Sequence, residues 1–159
     1  MTIFAKIDGV VGDATANSYS GWVELMHTHF DVRRSVDTPL GKANNRSKGS
    51  LQFNELTVSK RMDGSSHQLF QYVCSAEVIS QIDIHVCSTD SELSANAKYL
   101  LKNVIISHFD QQCSSSGVPT EYIHMNFTQL EMTYAGRDAV NKAMAPKISG
   151  YNLEAASML

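Results

Sequence analysis

Three times along this chain the apolar residues of an extended run change sides. Between Trp22 and Arg33, Val23 and Leu25 share one phase, whereas Met26, Phe30 and Val32 share the other. Leu51 and Phe53 are then out of step with Leu56 and Val58, and Ile123, Met125 and Phe127 with Leu130, Met132 and Tyr134. Strand side chains alternate with period two, so each slip requires a bulge or a bend that carries the strand from one layer to another. Three such strands predict a mainly β chain, a small antiparallel β-barrel formed by two bent sheets, rather than a flat open sheet.

The rest of the chain supplies more of the same. Ile3, Ala5 and Ile7 alternate with more polar residues and end at the turn Asp8-Gly9. Ile82, Ile84 and Val86 alternate with Asp83, His85 and Cys87, predicting one buried and one wetter face. A closing ribbon is expected from a strand over Lys98 to Phe109 and another over Glu121 to Tyr134, joined through the turn-rich Cys113 to Thr120. One short flanking helix is predicted at about 66–76, because Ser65-Ser-His-Gln68 has capping-box spacing and Leu69, Phe70, Val73 and Ala76 form a stripe. That gives six to eight strands and one helix. Two segments, Ser35 to Ser50 and the tail from Ala135 to Leu159, lack regular pattern. The expected organisation is one barrel domain over 1–135, with an extended loop at 35–50, and a C-terminal tail at 136–159 packing on it.

At 159 residues the chain can bury a core without disulfides or metal staples. A hydrophobic fraction of 43% and a charged fraction of 18% argue against disorder. No run approaches membrane-spanning length, and the first residues lack a secretory leader, so synthesis in the cytoplasm is expected. Cys74, Cys87 and Cys113, odd in number, read as free thiols, with Cys74 and Cys87 as small core residues. The formal charge of −3 hides an asymmetry. Arg33, Arg34, Lys42, Arg46 and Lys48 face only Asp31 and Asp37, making this stretch locally +3 and leaving −6 elsewhere. The stretch has no interleaved Phe, Tyr or Trp, which argues against single-stranded nucleic acid. A solvated loop or a protein contact remains. If the acidic excess lies at the opposite pole, copies of the chain would stack head to tail favourably.

Recognisable chemistry is sparse. His27-Thr-His29 puts two imidazoles on one strand face, a conceivable pair of zinc ligands, and His85, His108 or His124 would join them only if the strand order allowed. No Cys-x-x-Cys or His-Glu-x-x-His pattern supplies further ligands. There is no Gly-x-Ser-x-Gly elbow, Ser114 to Ser116 reads as a flexible turn, and Gly9-Val-Val-Gly12 lacks the spacing of a phosphate loop. No catalytic residue, metal site or cofactor is assigned.

The order of several short pieces is nevertheless informative: Lys6-Ile-Asp-Gly9, Gly12-Asp13, Gly21-Trp-Val-Glu-Leu25, Val58-Ser-Lys60, Asp63, Leu69-Phe70, Val118-Pro-Thr-Glu121, Asn126-Phe127, Tyr134 and Gly150-Tyr-Asn152. In order and spacing the chain resembles the hemolysin-coregulated protein family, the inner-tube subunits of the bacterial type VI secretion system. The resemblance implies a non-enzymatic barrel that forms six-membered rings. The rings stack into a tube inside a contractile sheath on a baseplate. A spike protein tips the tube, which is expelled without a signal peptide and carries effector proteins. It implies no nucleic acid, membrane insertion or cofactor. The 35–50 loop corresponds to the extended loop used in ring stacking, making Arg33, Arg34, Lys42, Arg46 and Lys48 the candidate contacts. The rival readings are a small-ligand carrier barrel and a barrel hydrolase or metal enzyme using His27 and His29.

Overall fold

The computed structural model describes residues 1–40, 47–88, 93–138 and 142–159. It is mainly β with one short helix: β1 (Thr2–Ile7), β2 (Val23–Leu25), β3 (His27–His29), β4 (Val32–Asp37), β5 (Ser47–Phe53), β6 (Leu56–Arg61), α1 (Ser66–Ser75), β7 (Ile79–Ser88), β8 (Ser94–Gln112), β9 (Thr120–Asn126), β10 (Gln129–Tyr134), β11 (Lys147–Asn152) and β12 (Ser157–Met158). Two antiparallel sheets share β8. One runs β12-β11-β10-β8-β7-β1-β2 and the other β3-β6-β9-β8, while β4 and β5 form a separate two-stranded hairpin.

Each phase slip is a crossing between sheets. At Met26 the chain leaves β2 in the first sheet and enters β3 in the second. The Met26 N–H donates to the Ser59 carbonyl (2.8 Å). Phe53 ends the hairpin and Leu56 opens β6. Between Phe127 and Leu130 the chain passes from β9, paired with β6 and β8, to β10, paired with β8 and β11. The shared strand turns with it: Asn103 takes φ 50, a left-handed conformation asparagine tolerates, and its side-chain amide donates to Thr128 Oγ1 (3.1 Å). A second irregularity between Ile106 and His108 shifts the inward phase again. Apolar residues therefore occur on both parities of β8 because the strand is bent twice.

The sheets curl around one core but do not close into a complete barrel. β2 and β6 meet at the Met26 crossing without a ladder of paired residues among those described. The space between them is filled by Ala5, Leu25, Leu56, Val58, Ile82, Ile84, Leu101, Ile106, Ile123, Met125 and their neighbours. Leu69 of α1 is fully buried and seals one end.

Several expectations change. There are more strands than expected because bends act as breaks and because both irregular segments contain strands. β4 and β5 occupy the ends of the 35–50 loop, and β11 and β12 lie in the tail, where β11 pairs with β10 along Gln129–Tyr134. The expected 121–134 strand is two strands. In α1, Phe70 is 57% exposed, and Cys74 is exposed rather than in the core, because the inward stripe is narrow and runs through Leu69 and Val73. The capping box does not form. Ser65 has helical dihedrals (φ −79, ψ −16) and its hydroxyl donates to Asp63, while Gln68 reaches out to the Val11 N–H and the Gly9 carbonyl.

The helix start is held instead by a buried ion pair. Lys60 and Glu121 lie on the inward phases of β6 and β9, both fully buried. Lys60 Nζ is 2.8 Å from Glu121 Oε2 and 2.8 Å from Asp63 Oδ1. Ser66 Oγ of α1 donates to Glu121 Oε2 (2.9 Å), and Gln111 Nε2 to Glu121 Oε1 (2.8 Å). These bonds compensate the desolvation of both charges and dock the helix on three strands.

Candidate assembly surface

The hairpin β4–β5 projects from the body with every residue of β4 exposed. Its base is closed by Asn54, whose side-chain amide donates to both carboxylate oxygens of Asp31 (2.9 and 2.8 Å). Register places Arg33 opposite Gln52 and Arg34 opposite Leu51, with an irregularity between Arg34 and Val36. There the Ser35 side chain and carbonyl lie where a Cβ at Gly49 would be, so only glycine fits. Arg33 Nε donates to Gln52 Oε1 (3.1 Å), and Arg34 Nη1 to the Gly49 carbonyl (3.1 Å). Both guanidiniums stiffen the hairpin and remain exposed, as does Lys48. The other two candidates, Lys42 and Arg46, lie outside the described residues.

One hairpin face is apolar. Val32, Leu51 and Phe53 look across an open groove of ≈ 440 Å³ toward Leu130, Met132 and Tyr151, with Arg34 also lining it. Phe53 stacks on Tyr151 with ring centres 5.1 Å apart. At the far end of β6 from the hairpin base lies a polar cavity of ≈ 450 Å³. Asp13, Glu24 and Asp63 line it together with Met1 and Arg61. The basic hairpin and this carboxylate-rich cavity are thus separated by the length of β6, about 17–20 Å for a six-residue strand.

The sequence profile of the family described as type VI secretion system effector, Hcp, matches residues 4–134. The chain belongs to the Hcp family. Its fold matches a structure described as a type six secretion system protein at a TM-score of 0.93, with 19% identity and 99% of each chain covered. Hcp1 from Salmonella typhimurium matches at 0.81, with 19% identity over 99% of this chain and 98% of that one. A type VI secretion system effector from Yersinia pestis matches at 0.76, with 17% identity over 94% and 98%. Comparison with curated proteins gives no match. This Hcp chain is accordingly a type VI secretion tube or effector protein.

Much of the Hcp resemblance resolves into structure rather than chemistry. Lys60, Asp63 and Glu121, quoted above only as matching fragments, are the buried network. The sequence signal was available, since Lys60 continues the Leu56, Val58 phase and Glu121 precedes the Ile123, Met125 phase, two opposite charges in core positions. The loop preceding Trp22 packs a second small core on the outer side of β1 and β7. Tyr19 stacks on Phe4 (4.5 Å), and Cys87 Sγ donates to Tyr19 Oη (3.1 Å). Burial, then the nearby Cys87, pushes the Tyr19 phenol well above its usual range. His85, 3.2 Å from Tyr19 Oη, has its pKa lowered by burial and secondarily by Lys98. His27 and His29 are exposed on β3. Among the described residues no three His, Cys, Asp or Glu side chains converge on one point, and no helix is long and apolar enough to cross a membrane.

Proposed function

We propose that this chain is a tube subunit of a type VI secretion machine. Six copies close side by side into a ring, and rings stack end to end through the basic hairpin. The tube runs inside the sheath from the baseplate, carries a spike at its tip, and takes effector proteins in its lumen. The chain works as one unit, residues 1–135 with the 136–159 tail packed on them. It assembles in the cytoplasm, is expelled with the tube, and catalyses no reaction.

The observation that carries this reading is the polarity of the molecule. A hairpin bearing Arg33, Arg34 and Lys48 stands at one end, and Asp13, Glu24 and Asp63 line a cavity at the other. Complementary patches on opposite ends favour a heterologous contact that repeats along an axis. The hairpin also gains from such a contact, because an isolated two-stranded ribbon is marginal in water. Lys42 and Arg46, outside the described residues, belong to the same proposed set of stacking contacts. A carrier barrel fits less well, since the space between the sheets is filled by side chains.

The test is a charge swap read by electron microscopy and light scattering. Arg33→Glu with Lys48→Glu should abolish end-to-end stacks while leaving single rings, and a Glu24→Lys, Asp13→Lys partner should restore mixed stacks. Unchanged stacking in the first variant would overturn the role given to the hairpin. A strictly monomeric protein across a wide concentration range would overturn the tube.

A further inference from the structure

Strand register gathers four histidines on the outer face of the second sheet. His29 pairs with Thr57, Thr57 with His124, and His124 with His108, one row across β3, β6, β9 and β8. His27 begins the neighbouring row, followed by Ser59, Tyr122 and Asp110. This face is opposite the core, since the intervening Val58, Ile123 and Met125 are buried. The sequence spacing singled out His27 and His29. Sheet order instead brings together His108 and His124, sixteen residues apart in sequence, with ring centres 4.7 Å apart and planes inclined by 47°. His29 stands two strand spacings from His124, about 10 Å away and too far to share one ion with it directly.

We propose that His108 and His124 form a two-point surface site for a borderline divalent transition cation of the zinc or nickel type. An ion about 2.0–2.1 Å from each coordinating nitrogen lies roughly 3.2 Å from each ring centre, so angles of about 90–109° at the metal need ring centres about 4.5–5.2 Å apart. The observed 4.7 Å falls inside that window. The rings are inclined rather than parallel, so they need not stack flat. Glu55 Oε2 lies 3.5 Å from His124 Nδ1, placing a carboxylate on one ring nitrogen and leaving Nε2 for the metal, the usual way an outer carboxylate orients a ligating imidazole. The His108 side chain has no hydrogen-bond partner among the described residues, so no internal bond has to break to bind metal. Two protein donors leave the other positions to water or to an incoming ligand. Imidazole donors select zinc, nickel and copper over calcium and magnesium.

The site is carried by one chain and does not depend on the tube reading. Full-length protein is titrated with nickel(II), and separately with zinc(II), by calorimetry at pH 7.5. One equivalent per chain is expected. His108→Ala and His124→Ala should each weaken binding at least tenfold, whereas His67→Ala on the helix should leave it unchanged, with circular dichroism showing each variant folded. Magnesium should give no heat. Absence of nickel and zinc binding would overturn the site. Binding insensitive to both β8 and β9 substitutions would do so too, as would binding lost in His27→Ala or His29→Ala instead.

Discussion

Lys60 and Glu121 show how a charge can belong in a core. Neither would be stable there alone, yet each satisfies the other, and Asp63, Ser66 and Gln111 take the remaining bonds. Lys60→Met strands the Glu121 carboxylate and is expected to cost about 3–5 kcal/mol in urea unfolding. Adding Glu121→Leu should recover part of that loss, because the two positions act as one; simple additivity would contradict the coupling. His85 gives a pH prediction at the same scale. Its folded pKa is lowered, so the unfolded chain binds the proton more readily. The stability it confers is complete above the unfolded imidazole value, about 6.5, and declines as pH falls below it. Unfolding midpoints at pH 7.5 and 5.5 should therefore differ less in His85→Gln than in the parent protein. An equal or larger difference would show that other groups govern this window.

At the scale of elements, the helix is a lid with a narrow contact. Only Leu69 and Ser66 of α1 are buried, and Val73 packs from the margin. Leu69→Ala should destabilise by about 2–5 kcal/mol. Phe70→Ala should cost about 1 kcal/mol, its main partner being Phe109 at 6.1 Å, edge to face. Comparable losses at both positions, read from thermal unfolding, would mean the helix seats differently. The hairpin is the opposite kind of element, held by its own cross-strand bonds and by the Asn54–Asp31 clasp at its base rather than by the core. Its chemistry is accordingly legible as a cluster of basic residues. Its strands are legible only at their base, where Val32 and the alternating Leu51 and Phe53 mark extended chain, because residues 33–37 and 47–50 carry charges and glycine where a core-facing strand would carry apolar residues.

For the whole molecule, the distribution of charge matters more than its sum. A net of −3 says little, but a basic hairpin and a carboxylate-lined cavity at opposite ends give the chain a direction. A directional subunit that associates side by side should give rings of constant mass, and end-to-end growth should fall steeply with salt because the end contacts are exposed charges. Light scattering at about 0.05 and 0.5 M salt checks this: stacks that persist undiminished at high salt would place the contact in the apolar groove instead. The groove beside Phe53 and Tyr151 is the natural candidate for that outcome, since Val32, Leu51, Leu130 and Met132 also line it.

The sequence by itself determined three of the places where the chain bends, that one short helix interrupts the strands, and that the basic residues cluster in one segment. These are local facts, carried by side-chain parity and by neighbours in the chain. What only the tertiary structure decided is which strands lie side by side. Parity tells a residue which face it occupies but not which residue stands across from it. The pairing of Lys60 with Glu121 follows from β6 lying beside β9, the separation of hairpin and cavity from the run of β6 between them, and the meeting of His108 with His124 from β9 lying beside β8, the strand that belongs to both sheets. That strand bends at Asn103 because β9 and β10 must bend beside it at Thr128. Such a requirement links residues far apart in the chain, and no local pattern of residues expresses it.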